Sequence, residues 1–138
     1  MSEAFKWNLR VYYEDTDLSG VVYHANYLHF FERARTEWLR HLGFDQQRLL
    51  DELKLAFTVA SLEVSFRRPA RLDDELEISV VVIRSGRASM QLQQTMLLKQ
   101  QPEIIIAELS CRVGCVDVEQ FRPCALPEAI NEEIKRVS

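Results

Sequence analysis

Apolar and polar residues alternate along four stretches in the second half of the chain. Leu62, Val64 and Phe66 oppose Ser61, Glu63 and Ser65, and Leu76, Ile78, Val80 and Val82 oppose Glu77 and Ser79. Further on, Ala88, Met90, Leu92, Met96 and Leu98 oppose Ser89, Gln91, Gln93 and Thr95. Across residues 104–118, Ile105, Ala107, Leu109, Cys111 and Val113 oppose Glu108, Ser110 and Arg112. A period of two predicts strands with one face against a core. Turn residues at positions 69–74, Ser85-Gly86 and Gln101-Pro102 separate them. An earlier alternation over residues 5–13, with Trp7, Leu9, Val11 and Tyr13 against Lys6, Asn8 and Arg10, predicts a first strand.

The pattern changes period between the first strand and the others. Across residues 25–42, Leu28, Phe31, Trp38 and Leu42 recur at near-helical spacing, and Tyr27, Phe30, Ala34 and Leu39 widen the stripe. The polar face is narrow (Glu32, Arg33, Glu37 and Arg40), with Glu32 expected to pair with Arg33 or Arg35, and Gly43 is the expected stop. Residues 45–53 predict a short second helix capped by Asp45, and residues 127–137 a terminal docking helix. One long apolar helix followed by a meander predicts an α+β fold in which the sheet covers the helix, although a flat open α+β sandwich satisfies the same periodicity. No repeat or linker divides the sequence, so a single domain over residues 1–138 is expected. Strands this long leave an edge needing cover, which points to pairing of two subunits.

Composition narrows the partners. Seventeen Lys plus Arg against twenty-one Asp plus Glu give a net charge of −4, which argues against general affinity for nucleic acid or anionic membrane. No stretch approaches the ~18 apolar residues of a membrane span and the N-terminus lacks a signal-type apolar run, so the cytoplasm is the expected compartment. Cys111 and Cys115 fall in one predicted strand, roughly 13 Å apart at the strand rise, too far for a disulfide. With Cys124 they are expected to be reduced core thiols.

Chemistry concentrates in residues 13–35, YEDTDLSGVVYHANYLHFFERAR: a polar turn with two aspartates runs into a helix whose first turn holds a histidine. A carboxylate beside the open N–H groups of a helix start can act as base or nucleophile while those groups hold a developing oxyanion. None of Tyr23, His24 and Ala25 is a favoured N-cap, although Asn26 competes for that role. His24, at the positive end of the helix dipole, is disfavoured from protonation and suits a neutral imidazole. A metal pair of Asp15 and Asp17, a His24/His29 pair and a Ser19 triad are weighed and set aside; Asp15 and Glu14 read as loop support, and His29 and His41 as surface or subunit-contact residues.

The same run, with FRRPARLDD at 66–74, resembles the 4-hydroxybenzoyl-CoA thioesterase family of hotdog-fold enzymes, in its YbgC-like branch, often encoded beside the Tol-Pal envelope system. The resemblance implies a hotdog fold, a curved antiparallel sheet wrapped around one long central helix. It implies metal-free, cofactor-free hydrolysis of an acyl-CoA thioester, with Asp17 catalytic and His24 supporting. Gly20, Val22, Tyr23 and Ala25 then shape the turn and oxyanion site. Arg84 and Arg87 are the candidate coenzyme A contacts, with Arg67 and Arg68 as a second option, because guanidinium forks suit phosphate. Tyr27 and Phe31 are the candidate acyl-pocket residues. A homodimer assembling to a homotetramer is implied, and an acyl carrier protein is a possible partner. Rival readings are a hotdog enoyl-thioester hydratase or dehydratase and a module that binds acyl-CoA or acyl carrier protein without turnover.

Overall fold

Strand β4 (Ser89–Leu98) keeps its alternation without interruption: Met90, Leu92, Gln94 and Met96 are buried. Its neighbours are β3 (Glu75–Ser85), which buries Leu76, Ile78 and Val80, and β5 (Gln101–Asp117), which buries Leu109, Cys111, Val113 and Cys115. With β1 (Phe5–Arg10), β2 (Leu55–Phe66) and the short β6 (Arg122–Pro123), these form an antiparallel sheet ordered β1-β3-β4-β5-β2, with β6 on β5. The computed structural model describes residues 4–137.

Helix α1 (His24–His41) supplies the other half of the core through Tyr27, Phe30, Phe31, Ala34, Trp38 and Leu39. Its apolar side chains join those of β3, β4 and β5 in one cluster, which Ile130 and Ile134 of the terminal helix α3 (Glu128–Val137) complete. The fold is α+β, a curled antiparallel sheet carrying one long helix, as the hotdog expectation required. Gly43, at φ 96°, stops α1 in a conformation that side chains rarely adopt. Asp45 caps α2 (Gln46–Leu53), its carboxylate accepting from the amides of Gln47 at 2.8 Å and Arg48 at 3.4 Å.

Four details depart from the sequence reading. Strand β1 ends at Arg10 because its last ladder partner is Glu75; Val11 instead exchanges backbone hydrogen bonds with Asp73 and Asp74. Gln101 and Pro102 belong to β5 rather than to a turn, since Leu98 pairs directly with Gln101. The β2 ladder on β5 starts only at Ala107, so the missing N–H of Pro102 costs no partner on that side. Strand β2 begins at Leu55, well before its alternation becomes legible, because a bulge between Val59 and Ser61 shifts the register. A second irregularity between Met96 and Leu97 turns Ile105 outward and buries Ile106.

Candidate active site

A tight hairpin presents Asp17. Thr16 bridges Val22, and Val21 bridges Arg71. Inside this loop the Asp17 amide donates to the Val21 carbonyl at 2.9 Å and the Gly20 amide to the Asp17 carbonyl at 3.0 Å, with Gly20 at φ 83°. The turn therefore needs a glycine at position 20. Asp15 holds the loop, as expected: its Oδ2 accepts from the Tyr12 amide at 2.8 Å. Its carbonyl receives the Tyr23 amide at 3.0 Å and the Asn26 side-chain amide at 2.9 Å.

Asn26 thus ties the helix start to the loop and does not cap the helix. The N-cap is Tyr23, without a side-chain cap, and α1 opens at His24. Among the described residues the amides of His24 and Ala25 have no hydrogen-bond partner, which leaves the positive end of the helix open beside the hairpin.

The Asp17 carboxylate is fully exposed. Its Oδ1 accepts from the Ser19 amide at 2.8 Å and from the Ser19 hydroxyl at 2.5 Å. The Ser19 hydroxyl is the largest of the influences that hold this carboxyl below its ordinary value, so it stays ionised at neutral pH. His24 is exposed, its ring tilted against that of Tyr23 at 4.5 Å. Val22 is buried at the base of the turn and its amide donates to the Ala70 carbonyl at 2.9 Å.

The other sequence candidates scatter. Tyr27 and Phe31 lie in the single chain's core, 4% and 0% exposed. The Tyr27 hydroxyl accepts from the Ala70 amide at 3.0 Å, and its ring meets Phe66 edge-on at 5.3 Å. At the β3–β4 turn a hollow of about 390 Å³ gathers Arg84, Ser85, Gly86, Ser89, Gln91 and Arg112. Arg87 is not part of it; its carbonyl accepts from the Leu126 amide at 2.8 Å. Arg67 pairs with Glu108 at 2.9 Å, and Arg68 donates its amide to the Ile106 carbonyl at 3.1 Å. His29 borders a hollow with Trp7 and Arg33, and the His41 ring lies 5.2 Å from that of Phe5.

Three features escaped the sequence. Gln94 occupies the inward register of β4 and is fully buried; its amide nitrogen donates to the Phe31 carbonyl at 3.0 Å and its oxygen accepts from Arg35 at 2.9 Å. The gap at position 94 between Leu92 and Met96 was the available signal. Arg35 is therefore committed to the sheet, Arg33 lies 5.8 Å over the Phe30 ring, and the expected Glu32 ion pair does not form among the described residues. Finally, Cys115 and Cys124 bring their sulfurs to 3.4 Å across β5 and β6, and burial, then Cys124, pushes the Cys115 thiol up to about 12. Between α1 and β2 lies a cleft of about 70 Å³ lined by Arg35, Trp38, Leu39, Phe57, Val59 and Leu92, among others.

An ionised carboxylate in a rigid turn, a free helix start and a helix-bearing antiparallel sheet define a class. Residues 11–134 match the family model of the thioesterase-like superfamily, and the chain belongs to that superfamily. Among individual proteins, it is 45% identical over 132 residues to the acyl-CoA thioester hydrolase YbgC of Escherichia coli, covering 96% of each chain. It is 42% identical over 131 residues to the acyl-CoA thioesterase YbgC of Haemophilus influenzae, covering 95% of this chain and 94% of that one. A solved probable thioesterase from Bartonella henselae is 36% identical with a TM-score of 0.84, the match covering 91% of this chain and all of that one. The 1,4-dihydroxy-2-naphthoyl-CoA thioesterase of Synechocystis, 20% identical, shares the fold at a TM-score of 0.89, over 96% of each chain. No helix among the described residues is long and apolar enough to cross a membrane.

Proposed function

We propose that the protein hydrolyses acyl-CoA thioesters to a carboxylic acid and free coenzyme A, with Asp17 as the reacting carboxylate. The observation that carries the reading is an ionised, exposed carboxylate in a hairpin whose return arm runs directly into an uncapped helix start. Relatives named as acyl-CoA thioesterases support the substrate class.

Asp17 attacks the thioester carbon, and the electrons displaced onto the carbonyl oxygen are received by the amides of His24 and Ala25. Collapse of that tetrahedral species breaks the C–S bond and releases the coenzyme A thiolate. Water then cleaves the mixed anhydride and restores the carboxylate. In the alternative route the same carboxylate takes the proton of the attacking water. Both routes need the ionised carboxylate, which the Ser19 hydrogen bonds favour. Gly20 and Tyr23 keep the approach open, Val22 anchors the turn, and His24 orients the carbonyl or water. Arg84, joined by Arg112 rather than by Arg87, is the favoured phosphate contact.

The functional unit in this reading is a homodimer paired antiparallel along β2, which ends the sheet and exposes Val59, Leu62 and Phe66. Such pairing carries the Phe66 end of one strand, with its Asp17 turn, toward the Phe57 end and cleft of the other. That cleft, rather than the buried Tyr27 and Phe31, would receive the acyl group. Dimers packing into a homotetramer, an acyl carrier protein as alternative thioester donor, and a reducing cytoplasm suited to three free thiols complete the proposal.

Asp17→Asn is expected to keep the fold and the oligomer while lowering kcat for acyl-CoA by about two or more orders of magnitude. Thiol release measured across short, long and aromatic acyl-CoAs tests it. Near-wild-type turnover by the variant, or tight binding without thiol release by the wild type, would overturn the assignment.

A further inference from the structure

The catalytic hairpin is not held by its own residues alone. Its return arm lies against the segment after Pro69, where the Ala70 carbonyl accepts from the Val22 amide at 2.9 Å and Val21 bridges Arg71. Ala70 is 0% exposed, so its own amide must find a partner inside the protein. That partner is the hydroxyl of Tyr27, one turn into α1, at 3.0 Å. One residue therefore joins two elements: its N–H is bound to the helix and its C=O to the arm that returns from Asp17. The Tyr27 ring is fixed in turn, edge-on to Phe66 at 5.3 Å and to Phe30 at 6.5 Å.

We infer that Tyr27 is a positioning residue for the reaction, its hydroxyl latching the residue 69–71 segment so that the Asp17 turn is held in register with the helix start. The inference rests on the thioesterase reading and assigns Tyr27 a role other than lining an acyl pocket. Geometry favours the role. The carboxylate is presented by a solvent-exposed turn, and its distance from the open amides of His24 and Ala25 depends on where Val22 is held. An error of about 1 Å in such placement costs on the order of 10²-fold in rate. Burial pushes the Tyr27 phenol up, the Ala70 amide offsets part of this, and the charges of Asp17 and Asp74 add to the rise. The phenol thus remains neutral at working pH, an acceptor of constant strength.

Tyr27→Phe keeps the ring and removes only the oxygen. The variant is expected to lose at least about ten-fold in kcat, a modest part of the cost of such misplacement, while KM stays within about two-fold. The acid limb of its pH–rate profile should move upward as the Asp17–Ser19 geometry loosens, and the Ala70 and Val22 amides should exchange hydrogen faster. A purely structural role lowers the melting temperature and leaves that limb where it was. A folded variant with wild-type kcat, acid limb and Val22 exchange would overturn the inference. Should Tyr27→Phe fail to fold, 3-fluorotyrosine at position 27 weakens the acceptor at nearly constant volume; a smaller loss in the same direction supports the latch and no change overturns it. If the wild type releases no thiol from any acyl-CoA, the thioesterase reading falls, while unchanged Ala70 and Val22 exchange in the variant still rejects the latch by itself.

Discussion

Ser19 controls Asp17 through two donors on one oxygen, its amide and its hydroxyl. Both stabilise the charged form, so the folded carboxyl titrates below its ordinary value, and activity that requires the anion persists until pH falls through that lowered point. Ser19→Ala removes the larger contribution; the acid limb of kcat/KM against pH is expected to move upward, toward the ordinary carboxylate value, with little change on the neutral plateau. A limb that stays in place would show that the titrating group is not Asp17. At this scale the local geometry of the candidate site was legible because its residues are contiguous: Asp17, Gly20 and His24 lie within eight positions, and turn chemistry sets the loop that leads into the helix start. The hydrogen bonds of Tyr27 and Gln94 were not, because their partners are 43 and 63 positions away and only the completed fold supplies them. Glu32 illustrates the opposite error, a local ion pair expected from helical spacing and displaced when Arg35 turned to the sheet.

Among the elements, α1 and β4 meet through more than apolar contact. Gln94 accepts from Arg35 and donates to the Phe31 carbonyl from a fully buried position, clasping the helix to the middle of the sheet. Gln94→Leu keeps the volume roughly constant but strands the half-buried guanidinium. It is expected to lower unfolding free energy by about 1–3 kcal/mol, measured by urea denaturation with an unchanged m-value. Element identity was readable from period alone for α1 and β4, and for β3 as far as Val80, beyond which its register on β4 shifts between Val82 and Arg84. Strands β2 and β5 were less readable: the Val59/Ser61 shift hid the first half of β2, and the Met96/Leu97 irregularity exchanged Ile105 for Ile106 as the inward residue. A bulge reverses which face a side chain takes, and alternation gives no warning of it.

For the whole molecule, β2 is the exposed flank. It runs twelve residues at the end of the sheet, with Val59 40%, Leu62 45% and Phe66 53% exposed. An unpaired, apolar edge of this length invites another strand. Leu62→Lys places a charge where a paired copy would meet it; sedimentation is expected to shift from dimer toward monomer, with thioester turnover falling in parallel. A variant that remains dimeric would move the interface elsewhere. Topology was legible only through the resemblance, since periodicity allowed a flat sandwich equally well.

The ring of Phe66 belongs to that flank, yet it rests on Tyr27, whose hydroxyl holds the segment beside the Asp17 loop. In the proposed dimer, subunit pairing and ligand binding at that loop would share this one ring contact. A ligand that changed the pairing would then have its own affinity changed by pairing by the same factor.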